Sequence, residues 1–535
     1  MAEIKCYKAL KLLSALPVII FILWLKLPAF SVYPQEKKDT KGKKKIELLY
    51  SDILIIDKQI NKDLQRLIGH VSLKHNDIFM ICDSAYLYLE INQVKAYGNV
   101  RISQGDTLSI RGNYLFYDGN EEKAYMEGNV ELKDKESQLF TSVINYDTKA
   151  RIADYPFHGK IINGDNVLTS RVGTYYAYDK KFHFKDSVRI ENPDYTMYAD
   201  TLEYNTVTET AYFTGPTILE GDSLYMYCER GWYDTKNDVS SIWHNPVINN
   251  RQNTIKGDSL YYQRKRGYGE AFHHISIADT SNNLIVAGNY GWYYKTPEKF
   301  MVTDSALFIQ ISKEDSLFLH ADTISAVTVS KPDDTTSFRI MKAYYSCKVF
   351  SRDLQAKCDS LSYSFQDSVI RLYKYPVLWS EENQLVADSI SIFTKNRQAD
   401  RMELYNSVFV TSQVDSIRFN QMKGRKLTGY FAKNKLYRIL IEGNGETIYF
   451  LVDNNQLIGV NHAKSASIEI KVNNSKIEEI TELSNPDGKL DPPLMSSPDG
   501  LRLPGFVWYD SLRPKKKADI FIRQRGTDSE KTPSP

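Results

Sequence analysis

Residues 93–110, Gln-Val-Lys-Ala-Tyr-Gly-Asn-Val-Arg-Ile-Ser-Gln-Gly-Asp-Thr-Leu-Ser-Ile, hold two phrases that recur along most of the chain. The first, Ala96-Tyr97-Gly98-Asn99-Val100, returns as Ala124-Tyr125-Met126-Glu127-Gly128-Asn129-Val130. Looser copies end at Ser187-Val188, Gly215-Pro216, Asn245-Pro246-Val247, Tyr375-Pro376-Val377 and Asn406-Ser407-Val408. The second, Asp106-Thr107-Leu108, returns at Asp200-Thr201-Leu202, Asp222-Ser223-Leu224, Asp258-Ser259-Leu260 and Asp315-Ser316-Leu317. It continues at Asp359-Ser360-Leu361, Asp388-Ser389-Ile390 and Asp415-Ser416-Ile417. Neighbouring copies lie about 22 to 30 residues apart, with wider gaps near the middle, and a period in that range signals a stacked architecture.

Between the phrases apolar and polar residues alternate, as in Leu108-Ser109-Ile110-Arg111, Val130-Glu131-Leu132-Lys133 and Leu202-Glu203-Tyr204-Asn205. Period-two alternation gives each strand one apolar face. The inward set is then Val100, Ile102, Leu108, Ile110, Val130, Leu132, Leu202, Tyr204, Leu224, Met226, Leu260 and Tyr262. These residues either hold two layers together or line an apolar groove between them. Gly98-Asn99, Gly128-Asn129, Gly221-Asp222 and Gly257-Asp258 read as turns, because Gly and Asn tolerate positive φ. Pro216, Pro246 and Pro376 fall at strand starts, where a missing N–H costs least. The Asp heading each second phrase is expected to cap backbone N–H groups in an Asx turn. Thirty-seven Tyr and 23 Phe among 535 residues add to the strand signal.

The fold expected is all-β: an elongated, repetitive β-jelly-roll of two splayed antiparallel sheets around an open groove. Leu436–Ile441 and Thr447–Leu451 flank Gly443-Asn444-Gly445, the strongest hairpin signal in the chain. A second hairpin is expected at Asn473-Asn474. Leu64, Leu67 and Ile68 are helically spaced, which leaves strand or helix open there.

Four segments follow. Residues 1–31 read as an export signal peptide, from Lys5, Lys8 and Lys11, the apolar run Leu12 to Leu25, and Ala29-Phe30-Ser31. The run is shorter than the roughly 20 residues of a spanning helix, and an uncleaved anchor is the alternative. Residues 32–69 form a basic linker and lead-in, 70–484 one jelly roll or two in succession, and 485–535 a Pro-rich, partly disordered tail. Within that tail Leu503-Pro504-Gly505-Phe506-Val507-Trp508 is an apolar patch suited to docking on the body or on a partner.

Sixty-eight Lys+Arg against 66 Asp+Glu leave no basic field for nucleic acid. Of the cysteines, Cys6 lies in the leader. Cys82, Cys228, Cys347 and Cys358 form no CxxC pair, so no zinc site is expected. They read as free thiols, with Cys347 facing Cys358 across adjacent strands as the alternative. HExxH, GxSxG and Walker patterns are absent from the sequence. His273-His274 points to opposite faces of a strand and makes a poor chelate. No enzyme, cofactor or metal is expected.

The interleaved Ala96–Ile102, Gly105–Ile110 and Ala124–Leu132, with echoes at Ala211–Leu219 and Gly221–Met226, resemble the OstA-like, or LptA-type, organic-solvent-tolerance proteins. Those belong to the lipopolysaccharide-transport system of Gram-negative bacteria. The resemblance implies a periplasmic β-jelly-roll whose groove shields lipid A acyl chains while the sugars stay in water. It also implies partnership with other β-jelly-roll transport proteins by end-to-end strand addition. The chain is several times longer than the small periplasmic member. After residue 485 it has no strand run with which to build an outer-membrane barrel. An exported β-solenoid that binds polysaccharide, or a structural surface protein, is the alternative.

Overall fold

The structure, a computed structural model, describes residues 44–56, 63–106, 108–135, 137–250, 253–312, 315–330, 337–395, 398–432, 435–453, 456–473, 476–492 and 501–523. The expected leader and the lysines before Lys44 lie outside them. Residues Lys45–Pro535 form one unit, distinct from Met1–Lys44.

Alternation in the sequence becomes strand after strand, each antiparallel to the next. Leu64–His75 pairs with Ile78–Tyr88, that strand with Gln93–Gln104, and so on to Gln456–Asn473 and Lys476–Leu483. The helical option at Leu64 is not taken, and strands begin at Glu47–Tyr50, ahead of residue 70. Among the described residues no α-helix occurs; short 3-10 turns appear only in 501–523. The body is elongated and all-β, and the two expected sheets are the two halves of one ladder creased lengthwise.

The crease is written into every strand. On alternate strands two neighbouring residues near the middle depart from strand geometry. Examples are Gly98-Asn99 (φ 73° and 45°), Gly128-Asn129 (84° and 50°), Asp186-Ser187 (68° and 56°), His273-His274 (53° and 47°) and Asn406-Ser407 (58° and 49°). Each inserts an extra residue against its neighbour, so pairing skips from Tyr97↔Ser84 to Arg101↔Ile81. A bulge of this kind bends the strand sharply. On the intervening strands the inward series shifts parity, from Met80 and Cys82 to Ala85 and Leu87, all buried. Asp83 and Ser84 both point outward at the corner between them. Both halves of each strand thereby turn their apolar side into one interior.

Gly98-Asn99 and Gly128-Asn129 are therefore corners inside Gln93–Gln104 and Lys123–Lys133, not turns between strands. The same correction applies to Gly443-Asn444, which bends a single strand, Lys435–Asp453, where a hairpin was expected. Turn and corner both need backbone with positive φ, so residue chemistry alone does not separate them. The Asn473 hairpin is a true one, with Asn473 opposite Lys476. Pro216, Pro246 and Pro376 occupy corners where the strand breaks in two.

The Asp-Ser/Thr-aliphatic phrases divide the same way. Asp200, Asp258, Asp359 and Asp388 stand at corners, with Leu202, Leu260, Leu361 and Ile390 buried just inside. Asp106, Asp222, Asp315 and Asp415 stand at hairpin turns. Asp415 makes the expected Asx turn, accepting from Ile417 N and Arg418 N at 2.9 and 2.8 Å. The repeated Asx turns lie elsewhere, at Asp118, Asp147, Asn205 and Asp234. Corner acids instead clip one strand to the next: Asp258 to His274 at 3.0 Å and Asp359 to Lys374 at 3.1 Å. Asp83 does the same, accepting from Asn99 Nδ2 at 2.8 Å.

The described part of the Pro-rich tail, 501–523, is packed against the body. It runs over the outer face of one layer, from the strands around Gln421 back to the strand holding Asp322. Gln421 gives Nε2 to Leu501 O and takes Leu503 N (2.8 and 2.9 Å). Gln384 does the same with Val507 O and Tyr509 N (2.8 and 2.7 Å), and Gln355 accepts from Arg513 Nε at 2.8 Å. Leu503 and Phe506 join Phe409, Ile448, Phe450 and Val460 in a small core of their own.

Candidate functional site

Opposite the row of corners the strand ends form a mouth, with one row of hairpin turns on each lip. Between residues 46 and 264 side chains tie the two lips together. Tyr117, Tyr146, Tyr175 and Tyr204 each end the inward series on one lip, and each reaches a polar residue on the other. Tyr117 Oη meets His75 Nδ1 at 2.7 Å. Tyr146 donates to Gln104, Tyr175 to Asp134 at 2.5 Å and Tyr204 to Asn163 at 3.0 Å. Arg151 pairs with Asp77 at 2.9 Å, Lys180 with Asp134 at 2.6 Å and Arg264 with Asp194 at 3.8 Å across the same gap. Ile46 N donates to Asn92 Oδ1 at 2.8 Å.

These contacts sit over a buried apolar interior. Asp134 is the most buried charge among them, its side chain 1 % exposed. Burial alone raises its pKa, but hydrogen bonds from Lys180, Tyr175 and the Lys135 N–H outweigh that and hold the carboxyl below its usual range.

The mouth changes from Tyr262 onward. Tyr262, Tyr293 and Tyr363 hold positions equivalent to the latching tyrosines but are only half-buried. So are Phe300, Met341, Ile370 and Ile392 on the same wall, and Ile277, Phe308, Leu317 and Leu354 on the facing wall. Near the corners the interior stays closed: Val302, Ala306, Ala321, Ile324 and Ala343 are all fully buried. A buried floor beneath half-exposed apolar walls is a trough. Strands are longer here, 14 residues in Leu317–Ser330 and Ser337–Phe350 and 19 in Lys435–Asp453, against 10 to 12 in the unbroken strands of the latched section. On one lip Glu298 accepts from Arg339 Nη2 and Thr328 Oγ1, both at 2.9 Å, giving the trough a polar rim.

The inward residues picked from sequence fall mainly in the latched section. Val100, Ile102, Leu108, Ile110, Val130, Leu132, Leu202, Tyr204, Met226 and Leu260 are all buried, and in this conformation they line no opening. Leu224 and Tyr262 are half-buried, and with Met226 they edge a small apolar cavity where the latched section gives way to the trough. Alternation identified the inward face correctly but carried no information on whether the mouth above it is closed. The signal for that is tyrosine and polar partner recurring together: tyrosines stand at 117, 146, 175 and 204, a step of 29 residues. Polar partners at 75, 104, 134 and 163 keep nearly the same step on the opposite lip.

Among the described residues no cluster of His, Cys, Asp or Glu is placed to hold a metal ion. His273 and His274 form a corner, and His274 Nδ1 faces Asp258.

A family model described as OstA-like protein matches residues 43–200 and 210–315. Over these segments the chain belongs to the OstA-like family, whose β-structure relates in general to lipid binding of the lipopolysaccharide-transport type. No curated protein matches the chain. The match stops at 315, yet the bent-strand repeat continues unchanged in kind to Asp487–Asp491.

Proposed function

We propose that this chain is a non-enzymatic, periplasmic carrier that holds the acyl chains of lipopolysaccharide in the trough beyond Tyr262 while its sugars stay in water. The observation carrying this reading is the pair of half-exposed apolar walls over a buried floor. Exposed apolar surface of that extent marks a binding site. Acyl chains suit it, since each buried CH₂ contributes about 0.8 kcal/mol without directional contacts. A wall of similar side chains also holds a chain at many registers with similar energy, which favours sliding.

The first strand supports a role in a larger assembly. Among the described residues Glu47–Tyr50 and Ile53–Ile56 form one bent edge strand paired on one side only, to Leu64–His75. Leu49, Ile53, Leu54 and Ile56 on it are 45–52 % exposed. An apolar edge with free backbone groups accepts a strand from another β-jelly-roll protein.

The test is lipid copurification. Full-length protein should carry lipopolysaccharide detectable by mass spectrometry, and Phe300→Glu with Met341→Glu should reduce it several-fold at unchanged strand content. Protein free of lipid, or lipid unaffected by both substitutions, would reject the reading. Depletion in the native bacterium should lower surface lipopolysaccharide; normal levels would contradict the transport role.

A further inference from the structure

We propose that Cys347 and Cys358 are a disulfide-forming pair that staples the crease of the trough. They stand directly opposite each other on the antiparallel strands Ser337–Phe350 and Gln355–Ser364. Both point inward beside the corner at Ser346, both are buried, and the Cys347 thiol is close enough to raise the pKa of Cys358. Directly opposed residues of an antiparallel pair hold their Cα atoms about 4.5–5.5 Å apart. A disulfide spans about 4.4–6.8 Å, so the bond forms without moving the strands. The other two described cysteines have no such counterpart: Cys82 faces Val71 and Cys228 faces Thr217.

Closing the bond takes two protons and two electrons from the two thiols, and a dithiol–disulfide oxidant accepts them and leaves as two thiols. The interior disfavours thiolate: the neighbouring Cys347 thiol and burial hold the Cys358 pKa well above its ordinary value. Exchange is therefore slow once the strands have closed, and the bond forms most readily while this hairpin is assembling. At this position it ties together two strands of the trough below their half-exposed upper walls. Oxidation adds no new atoms to the trough and leaves its lining unchanged.

The experiment maps thiols in full-length folded protein recovered from cells, before and after long equilibration in a glutathione redox buffer. Each sample is unfolded and alkylated without reductant, digested and read by mass spectrometry. After equilibration the expected result is loss of alkylation at Cys347 and Cys358, a linked peptide two hydrogens lighter than the separate thiols, and full alkylation at Cys82 and Cys228. Four alkylated cysteines in that sample, or a link from either residue to Cys82 or Cys228, would overturn the proposal. The untreated sample reads the compartment separately. A bridge formed only after equilibration upholds the pair and counts against an oxidising periplasmic location.

Discussion

Gly98 shows how a single residue sets the crease. Its φ is +73°, and a Cβ there would lie 2.4 Å from Asp83 Oδ2, the carboxylate that clips Asn99. Gly98→Ala therefore meets both backbone strain and a clash, and should cost more than about 1 kcal/mol in denaturant unfolding. Gly105, at a turn with open space around it, is the control: its φ of +61° leaves backbone strain alone, so Gly105→Ala should cost less. Asp134 sets the latch. Its folded pKa lies below the unfolded one, so the latch contributes stability above the unfolded carboxyl pKa of about 3.9 and loses it as pH falls through the lower folded value. Asp134→Asn should flatten that acid limb, and Tyr175→Phe, which removes one donor, should cost about 0.5–1.5 kcal/mol. An acid limb unchanged in Asp134→Asn would contradict the assignment. At this scale the sequence was partly legible. Inward residues such as Ile110 and Leu132 followed from alternation, because side-chain direction is local. Whether Gly128-Asn129 ends a strand or bends it depends on how long pairing continues beyond it, which is not local. The latching role of Tyr204 is not local either, since its partner Asn163 lies 41 residues away, and only the matching recurrence of the two series points to it.

The element that repeats is a strand bent at mid-length, and the fold follows from stacking it. Pairing resumes beyond each corner with one residue of shift, so neighbouring strands stay paired on both sides even where the strand splits, as at Gly215-Pro216. The tail is a different kind of element. Proline removes regular structure from 501–523, but Gln384 and Gln421 receive its backbone groups in place of a neighbouring strand, and Gln355 on the next hairpin takes the Arg513 side chain. Composition alone therefore reads it as loose, whereas Trp379, Gln384, Thr411 and Gln421, all at most 1 % exposed on an outward face, show that it covers the layer. Truncation after residue 500 should raise hydrogen exchange across 377–386 and 409–422 and lower Tm, leaving exchange in 94–132 unchanged. Equal protection in the truncated chain would mean that the tail only rests on the surface.

At the scale of the whole body, one repeat serves two ends. The latched section buries its apolar interior behind hydrogen bonds, and the section beyond Tyr262 keeps the same interior but leaves its upper walls half-exposed. The two edges also differ. The first strand is apolar and exposed, whereas the last, Lys476–Leu483 with Asp487–Asp491, carries Glu478, Glu479, Glu482, Asp487 and Asp491. Leu54→Lys should weaken any end-to-end association seen by sedimentation while leaving the unfolding free energy within about 0.5 kcal/mol of the parent. The central claim is that hydrocarbon enters the trough and not the latched section. Photoreactive phenylalanine analogues at Phe300 and Tyr363 on one hand, and at Tyr146 and Tyr204 on the other, test it in cells. Lipopolysaccharide captured at the first pair and not the second is the predicted result; capture at Tyr146 and Tyr204, or none at Phe300 and Tyr363, would contradict it.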